Sequence, residues 1–317
     1  MSSLATRLRV PVAVAAASAL LAGCGAITGD QGGGGREVVA SFYPLAWVTE
    51  RVAGDGWTVT NLTSPGGEPH DLELSIDATA SLTEADLVVY LEQFQPAVDD
   101  AVDTNVEGAT LEAGGVVDLQ PVADHSEEGH AHEEEHAEDE ESHDHGDLDP
   151  HFWQDPARMA VLARAVADEL AALDQAGADT YRANAEELAV ELEALDREYA
   201  DGLADCERDV VVVSHDAFGY LAGYGLHLEP IAGLTPDAEP SPAVLADLSD
   251  LIREEGLTTV FSERLASPAM AETLASDLGV TTGVLDPVEG LADETAEEDY
   301  LSLMRANLAA LEEANGC

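Results

Sequence analysis

"PARMAVLARAVADELAALDQAGADTYRANAEELAVELEALDREYADGLA", residues 156–204, is the stretch on which the fold turns. It is rich in Ala, Leu and Glu, and its apolar residues recur at spacings of three and four, the period of helices with one buried stripe. Pro156 opens it at a first-turn position, where a missing N–H costs nothing. On either side the period changes. Before it, "EVVASF", "WTVTNL", "ADLVVYL" and "GVVDL" read as short buried strands between candidate helices; after it, "DVVVVSH", "LHLEPIAGL", "LTTVFSE" and "GVTTGVLDP" repeat the theme. Alternating strands and helices favour parallel sheets with right-handed crossovers. The expected fold class is α/β: two similar α/β lobes with parallel sheets, bridged by a long rigid α-helix. The expected boundaries are 37–155 for the first lobe, 156–204 for the helical connector and 205–317 for the second lobe. Ligands of such sheets gather at the carboxyl ends of strands, so the cleft between the lobes is the expected site.

The length of 317 residues suits two lobes that each bury a core. The charge is unusual: the formal net charge is −53, with twelve arginines and no lysine. Twelve of the acids fall within 124–147, yet most of the negative charge lies elsewhere. Such a chain is a poor partner for nucleic acid or anionic lipid headgroups, and its natural complement is a cation. A solubilising surface accounts for most of these acids.

The first residues say where the protein works. Arg7 and Arg9 precede an apolar run from Val10 to Leu21, too short for a mature membrane span, which ends in Leu21-Ala22-Gly23-Cys24. This resembles a bacterial lipoprotein signal over 1–23, with Cys24 as the lipidated first residue; a plain cleaved signal with an incidental cysteine is the alternative. Residues 24–36 form a Gly-rich tether. The mature chain is expected to sit outside the cytoplasmic membrane, anchored to its outer face. The two remaining cysteines, Cys206 and Cys317, read as a disulfide in an oxidising compartment, with a thiolate metal site as the rival.

Seven of the ten histidines lie in "HSEEGHAHEEEHAEDEESHDHGDLDPHFWQDP", residues 125–156. Six of them, His125, His130, His132, His136, His143 and His145, belong to a polar, acidic run with almost no apolar residues. That run is too polar to pack, so it reads as a disordered loop over 124–147, either a weak accessory metal-capturing tract or a solvated insert. His151 differs, because Pro150, Phe152, Trp153 and Pro156 surround it with stiff and aromatic residues. His70 follows the strand "WTVTNL" and a Gly-Gly turn, His215 directly follows "DVVVVS", and Asp286 follows the last strand in "GVLDPVEG". Three imidazoles and one carboxylate form a four-donor set suited to Zn²⁺, whereas Mn²⁺ prefers more oxygen. His227 reads as structural or exposed and Glu68 as exposed. Asp71, Glu73, Asp216 and Glu263 are candidates for orienting the imidazoles.

"EPHDLELS", "DPHFWQDP", "SHDAFGYLAGYGL" and "VLDP", in this order, resemble the zinc-type solute-binding proteins of bacterial metal-ion ABC importers, the ZnuA-like cluster A-I group. The resemblance runs from about Val38 to the C-terminus. It implies His70, His151, His215 and Asp286 as metal ligands, zinc rather than manganese because His215 stands where a manganese site has Glu, and a His- and acid-rich loop between the first two ligands. The function it implies is capture of Zn²⁺ outside the membrane and delivery to a cognate ABC permease, by a monomer that is not an enzyme. The alternatives are a manganese or other divalent-metal importer component, an extracytoplasmic zinc hydrolase with Asp286 as general base, and an adhesin.

Overall fold

The computed structural model describes residues 36–122 and 148–317. The signal segment, Cys24 and the histidines from His125 to His145 lie outside the described residues. In the first half, β1 (Glu37–Ala40), α1 (Tyr43–Ala53), β2 (Thr58–Asn61), α2 (Ile76–Glu84), β3 (Leu87–Tyr90), α3 (Pro96–Asn105) and β4 (Ala109–Glu112) alternate, followed by one short turn of helix, α4 (Gly114–Val117). The strands pair in parallel in the order β2-β1-β3-β4. Two helices follow, α5 (Pro156–Leu173) and the longer α6 (Ala178–Gly202). The second half holds β5 (Val210–Val213), β6 (His227–Pro230), α7 (Pro242–Glu254), β7 (Thr259–Ser262), α8 (Ala269–Leu278), β8 (Thr281–Val284) and α9 (Tyr300–Asn315). Its strands are also parallel, in the order β6-β5-β7-β8, so the two sheets share one topology.

The expected strand "GVVDL" is not one. Ala109–Glu112 takes the edge position beside β3. The Glu112 carboxylate then accepts from the Gly114 and Gly115 N–H groups at 2.8 and 2.5 Å, which turns the chain into α4. A carboxylate that satisfies free N–H groups at a helix start outweighs the strand preference of two valines.

The helical stretch is a hairpin. Asp155 caps α5 through the Ala157 and Arg158 N–H groups, with Pro156 at the first turn as the sequence requires. Ion pairs Arg164–Glu186 and Arg182–Asp168 join α5 to α6 in antiparallel register.

Strand side chains divide strictly by face. Val38 and Ala40 of β1, Leu87 and Val89 of β3, Val211 and Val213 of β5 and Phe261 of β7 enter one core that also takes in α1, α5, α6 and α9. Their alternate neighbours, Val39 and Val88 in the first lobe, Val212 and Val260 in the second, face separate smaller cores under the outer helices. Both faces of each sheet are covered, which is why the strands read as unbroken apolar runs. The inner faces share a single core, so the lobes are fused along it.

Cys206, just after α6, and Cys317 form a disulfide across 111 residues. The chain end is also held by the Glu207 and Arg208 N–H groups, which both donate to Asn315 O. Loop-closure entropy for that separation predicts that replacing both cysteines with serine lowers stability by roughly 4–5 kcal/mol, less any native strain. Denaturant unfolding of the two forms checks it, and a change below about 1 kcal/mol would mean that the bond constrains little.

Candidate metal centre

Each sheet presents its strand ends to the same place. In the second lobe β5 and β7 are neighbours at the point where strand order reverses, the position at which parallel sheets bind ligands. His215 lies two residues beyond β5 and Glu263 directly follows β7. Their side chains meet there, with His215 Nδ1 2.6 Å from Glu263 Oε1. His70 comes from the loop after β2, His151 from the segment leading into α5, and Glu289 from the loop after β8.

Four ligand atoms, from His70, His151, His215 and Glu289, lie within 4.8 Å of one another. Glu289 Oε1 is 3.6 Å from His70 Nε2 and 3.5 Å from both His151 Nε2 and His215 Nε2. Donors at 2.0–2.1 Å around a tetrahedral zinc stand about 3.4 Å apart, so these separations are close to the edges of such a shell. The three Nε2 atoms and both Glu289 oxygens are buried, and none has a hydrogen-bond partner. Buried polar groups normally find partners. Five orphaned atoms facing one point therefore describe a cation site.

The outer nitrogens are fixed by carboxylates. His151 Nδ1 lies 2.8 Å from Asp149 Oδ1, which also accepts the His151 backbone N–H at 2.9 Å. Glu263 plays the same part for His215. A proton held on Nδ1 turns the Nε2 lone pair inward, the usual arrangement for metal-bound histidine. The His70 backbone N–H donates to Glu68 Oε1 at 3.1 Å. Phe94 stacks edge-on against His70 with centroids 4.5 Å apart, and Trp153 lies 5.2 Å from His151. These rings pack directly against the two first-lobe imidazoles.

Protonation states follow from this packing. Burial pulls the His215 imidazole down, but Glu263 and Glu289 outweigh it and push the group up to about 10. Burial would raise Glu289, yet His215 and His70 hold its carboxyl well below the usual carboxylate range. Burial and the nearby Glu289 carboxylate push Glu68 up to about 7.

Of the expected donors, the structure brings His70, His151 and His215 together. Asp286 is a correction: the carboxylate that meets the imidazoles is Glu289, three residues further on. Asp286 Oδ1 accepts the Val288 N–H at 2.8 Å within its own loop, and its Oδ2 is ion-paired with Arg264 from the loop after β7, 3.0 Å from Nε. Asp149 was not anticipated either, although a carboxylate two residues before a ligand histidine, in "LDPH", is a readable signal for an orienting partner. Glu263, one of the candidate orienting residues, lies 2.6 Å from His215 Nδ1. Glu68 is half-buried rather than exposed. His227 is exposed.

The comparisons with known proteins agree with this geometry. The family model for ZnuA, "Zinc-uptake complex component A periplasmic", matches residues 38–314. The zinc-binding lipoprotein AdcA of Streptococcus pneumoniae is 37% identical over 297 residues, covering 89% of this chain and 56% of AdcA. The chain thus spans about half the length of the curated relatives it first matches. The high-affinity zinc uptake system protein ZnuA of Bacillus subtilis is 34% identical over 312 residues and 95% of both chains. Among solved structures, Zn(II)-bound AdcA of S. pneumoniae superposes with a TM-score of 0.73 at 34% identity, over 90% of this chain and 58% of that one. The laminin-binding protein Lmb of Streptococcus agalactiae, described as having adhesin and metal transporting activity, gives 0.76 at 30% identity over 88% and 99%. A family match across nearly the whole described chain, with an inward-facing His₃Glu cluster at its centre, places the chain in the ZnuA family of zinc-uptake components.

Proposed function

We propose that the protein captures Zn²⁺ outside the cytoplasmic membrane and hands it to a cognate ABC permease, with His70, His151, His215 and Glu289 as the ligands. The observation that carries this reading is the set of partnerless inward atoms: three Nε2 and the Glu289 carboxylate, all within tetrahedral reach. Zinc is the cargo. Three imidazoles and a single carboxylate favour it over manganese, which takes more oxygen.

Each lobe supplies two ligands, so release requires only that the shell be pulled apart between them. On this reading the first lobe spans 37–155, the connector 156–204 and the second lobe 205–317. The shared core favours small motions. A catalytic zinc keeps one position open for water, whereas here four protein donors close the shell. Asp286, the base that a hydrolase would need, is turned onto Arg264. These two features favour capture over catalysis. Lipidation at Cys24, attachment to the outer face of the membrane and a monomeric state complete the proposal. Among the described residues no helix is long and apolar enough to cross a membrane. The histidines of 124–147 add weaker accessory sites.

Chelator competition on the mature chain is the direct test. One tight zinc per molecule is expected, retained when residues 124–147 are deleted. Glu289→Ala or any of the three His→Ala changes should weaken binding more than the 10–100-fold typical of residues that only support a ligand. Loss of tight binding with the loop alone would overturn the ligand set.

The raised His215 sets a pH dependence. At pH 7 the metal-free site holds a proton that zinc must displace, so binding should release protons, and apparent affinity should fall as pH is lowered. A folded value near 10 against an unfolded value near 6.5 adds stability that is complete below the unfolded value. That stability is lost as pH rises through about 10. The metal-free melting temperature should therefore drop between pH 7 and 10, and the zinc-loaded one much less. Calorimetry in buffers of differing ionisation enthalpy, with melting curves, reads both.

A further inference from the structure

Val288, beside Glu289, has φ +60 and is completely buried. A β-branched residue rarely adopts this left-handed conformation, and it persists only where the surroundings over-determine it. Here they do. Asp286 Oδ1 accepts the Val288 N–H at 2.8 Å, and the other Asp286 oxygen lies 3.0 Å from Arg264 Nε. Asn307 accepts the Asp286 N–H at 2.9 Å and donates to Asp286 O at 2.6 Å. Pro287 O accepts from Trp153 Nε1 at 2.7 Å and from Gln154 Nε2 at 2.5 Å. The left-handed residue reverses the chain just before the carboxylate that faces three imidazoles.

We infer that Asp286, braced by Arg264, is a positioning residue: it holds Val288 in the left-handed conformation and so aims Glu289 at the metal. This inference rests on the ligand set proposed above. Asp286 touches no metal. Its carboxylate takes up the Val288 N–H that the reversed chain leaves without a backbone partner, and Arg264 balances the buried charge. Without that brace Val288 relaxes toward ordinary backbone angles and Glu289 turns off the tetrahedral corner. A glycine at 288 needs no brace, since it adopts positive φ without strain.

The test uses the full mature chain as wild type, Asp286→Asn, Asp286→Ala, and Asp286→Ala combined with Val288→Gly. Zinc affinity is read by chelator competition, and coordination by the visible absorption of the Co²⁺-loaded protein, which is intense only for tetrahedral sites. Asp286→Ala should lose about 10–100-fold in zinc affinity, as residues behind metal ligands do, and its cobalt bands should weaken. Asp286→Asn, which keeps the acceptor for Val288 but not the charge, should lose less. Adding Val288→Gly should recover at least half of the Asp286→Ala loss on a logarithmic scale and restore the cobalt bands. Wild-type affinity in Asp286→Ala overturns the inference, and so does a loss that Val288→Gly leaves untouched, which would return Asp286 to the shell itself. Should Asp286→Ala fail to fold, the Asp286→Asn pair with and without Val288→Gly decides by the same rescue. Failure of the wild type to bind one zinc tightly would instead defeat the underlying reading, whatever the variants do.

Discussion

One carboxylate oxygen held between three imidazole nitrogens, all buried and none satisfied by protein, is the constraint that the rest of the structure serves. Such a cluster is unfavourable in an empty interior, because buried polar atoms that lose water need partners. The metal-free protein meets this with protons: Glu289 stays ionised and His215 keeps a proton well above neutrality. A divalent cation does the same work with more charge and shorter contacts. The site is thus only partly satisfied without metal, which suits the capture role proposed above.

Holding four donors to that geometry from four distant segments falls to the fold. Tandem parallel sheets of equal topology bring strand ends to the same region, and the inner face of each sheet joins one continuous core. The lobes are also stitched close to the metal centre. Trp153 and Gln154, next to His151, donate to Pro287 O in the loop that carries Glu289. Tyr300 OH of α9 donates to Trp153 O at 2.5 Å, and the Gly66 N–H, four residues before His70, donates to Leu291 O at 2.7 Å. Loops from opposite lobes that carry the facing side chains therefore share direct hydrogen bonds.

The aromatic residues around the centre serve both packing and chemistry. Phe42, Phe94 and Trp153 contact one another edge-on or tilted at centroid distances of 4.6–5.3 Å, and Phe94 and Trp153 also lean on His70 and His151. Rings in this arrangement fix imidazole orientation by shape. They also keep the local dielectric low, which strengthens the carboxylate–imidazole contacts behind the ligands.

Periodicity and turn chemistry in the chain alone were enough for two α/β halves and a helical connector; they made His70, His151 and His215 candidates, and the family resemblance singled these three out as ligands. Apolar runs such as "DVVVVS" can only be buried strands, and a histidine at the end of one must emerge at the carboxyl edge of a parallel sheet. The cysteine pair was legible because two thiols in an oxidising compartment have few other fates. What remained open was which carboxylate of "LDPVEG" points inward, since Asp286 and Glu289 are equally acidic and only three residues apart. That choice depends on the left-handed turn at Val288, on Arg264 arriving from the loop after β7, and on Trp153 and Gln154 from the other lobe. The short edge strand β4 was hidden for a different, local reason: Glu112 caps the Gly-Gly turn, so the two valines that read as strand fall in α4. Strand faces, helices and histidine-bearing strand ends follow from local patterns along the chain. The direction of a single side chain in a reversed loop is decided by partners from other segments, Arg264 and Asn307 about twenty residues away and Trp153 and Gln154 more than a hundred, and only the assembled tertiary structure brings them together.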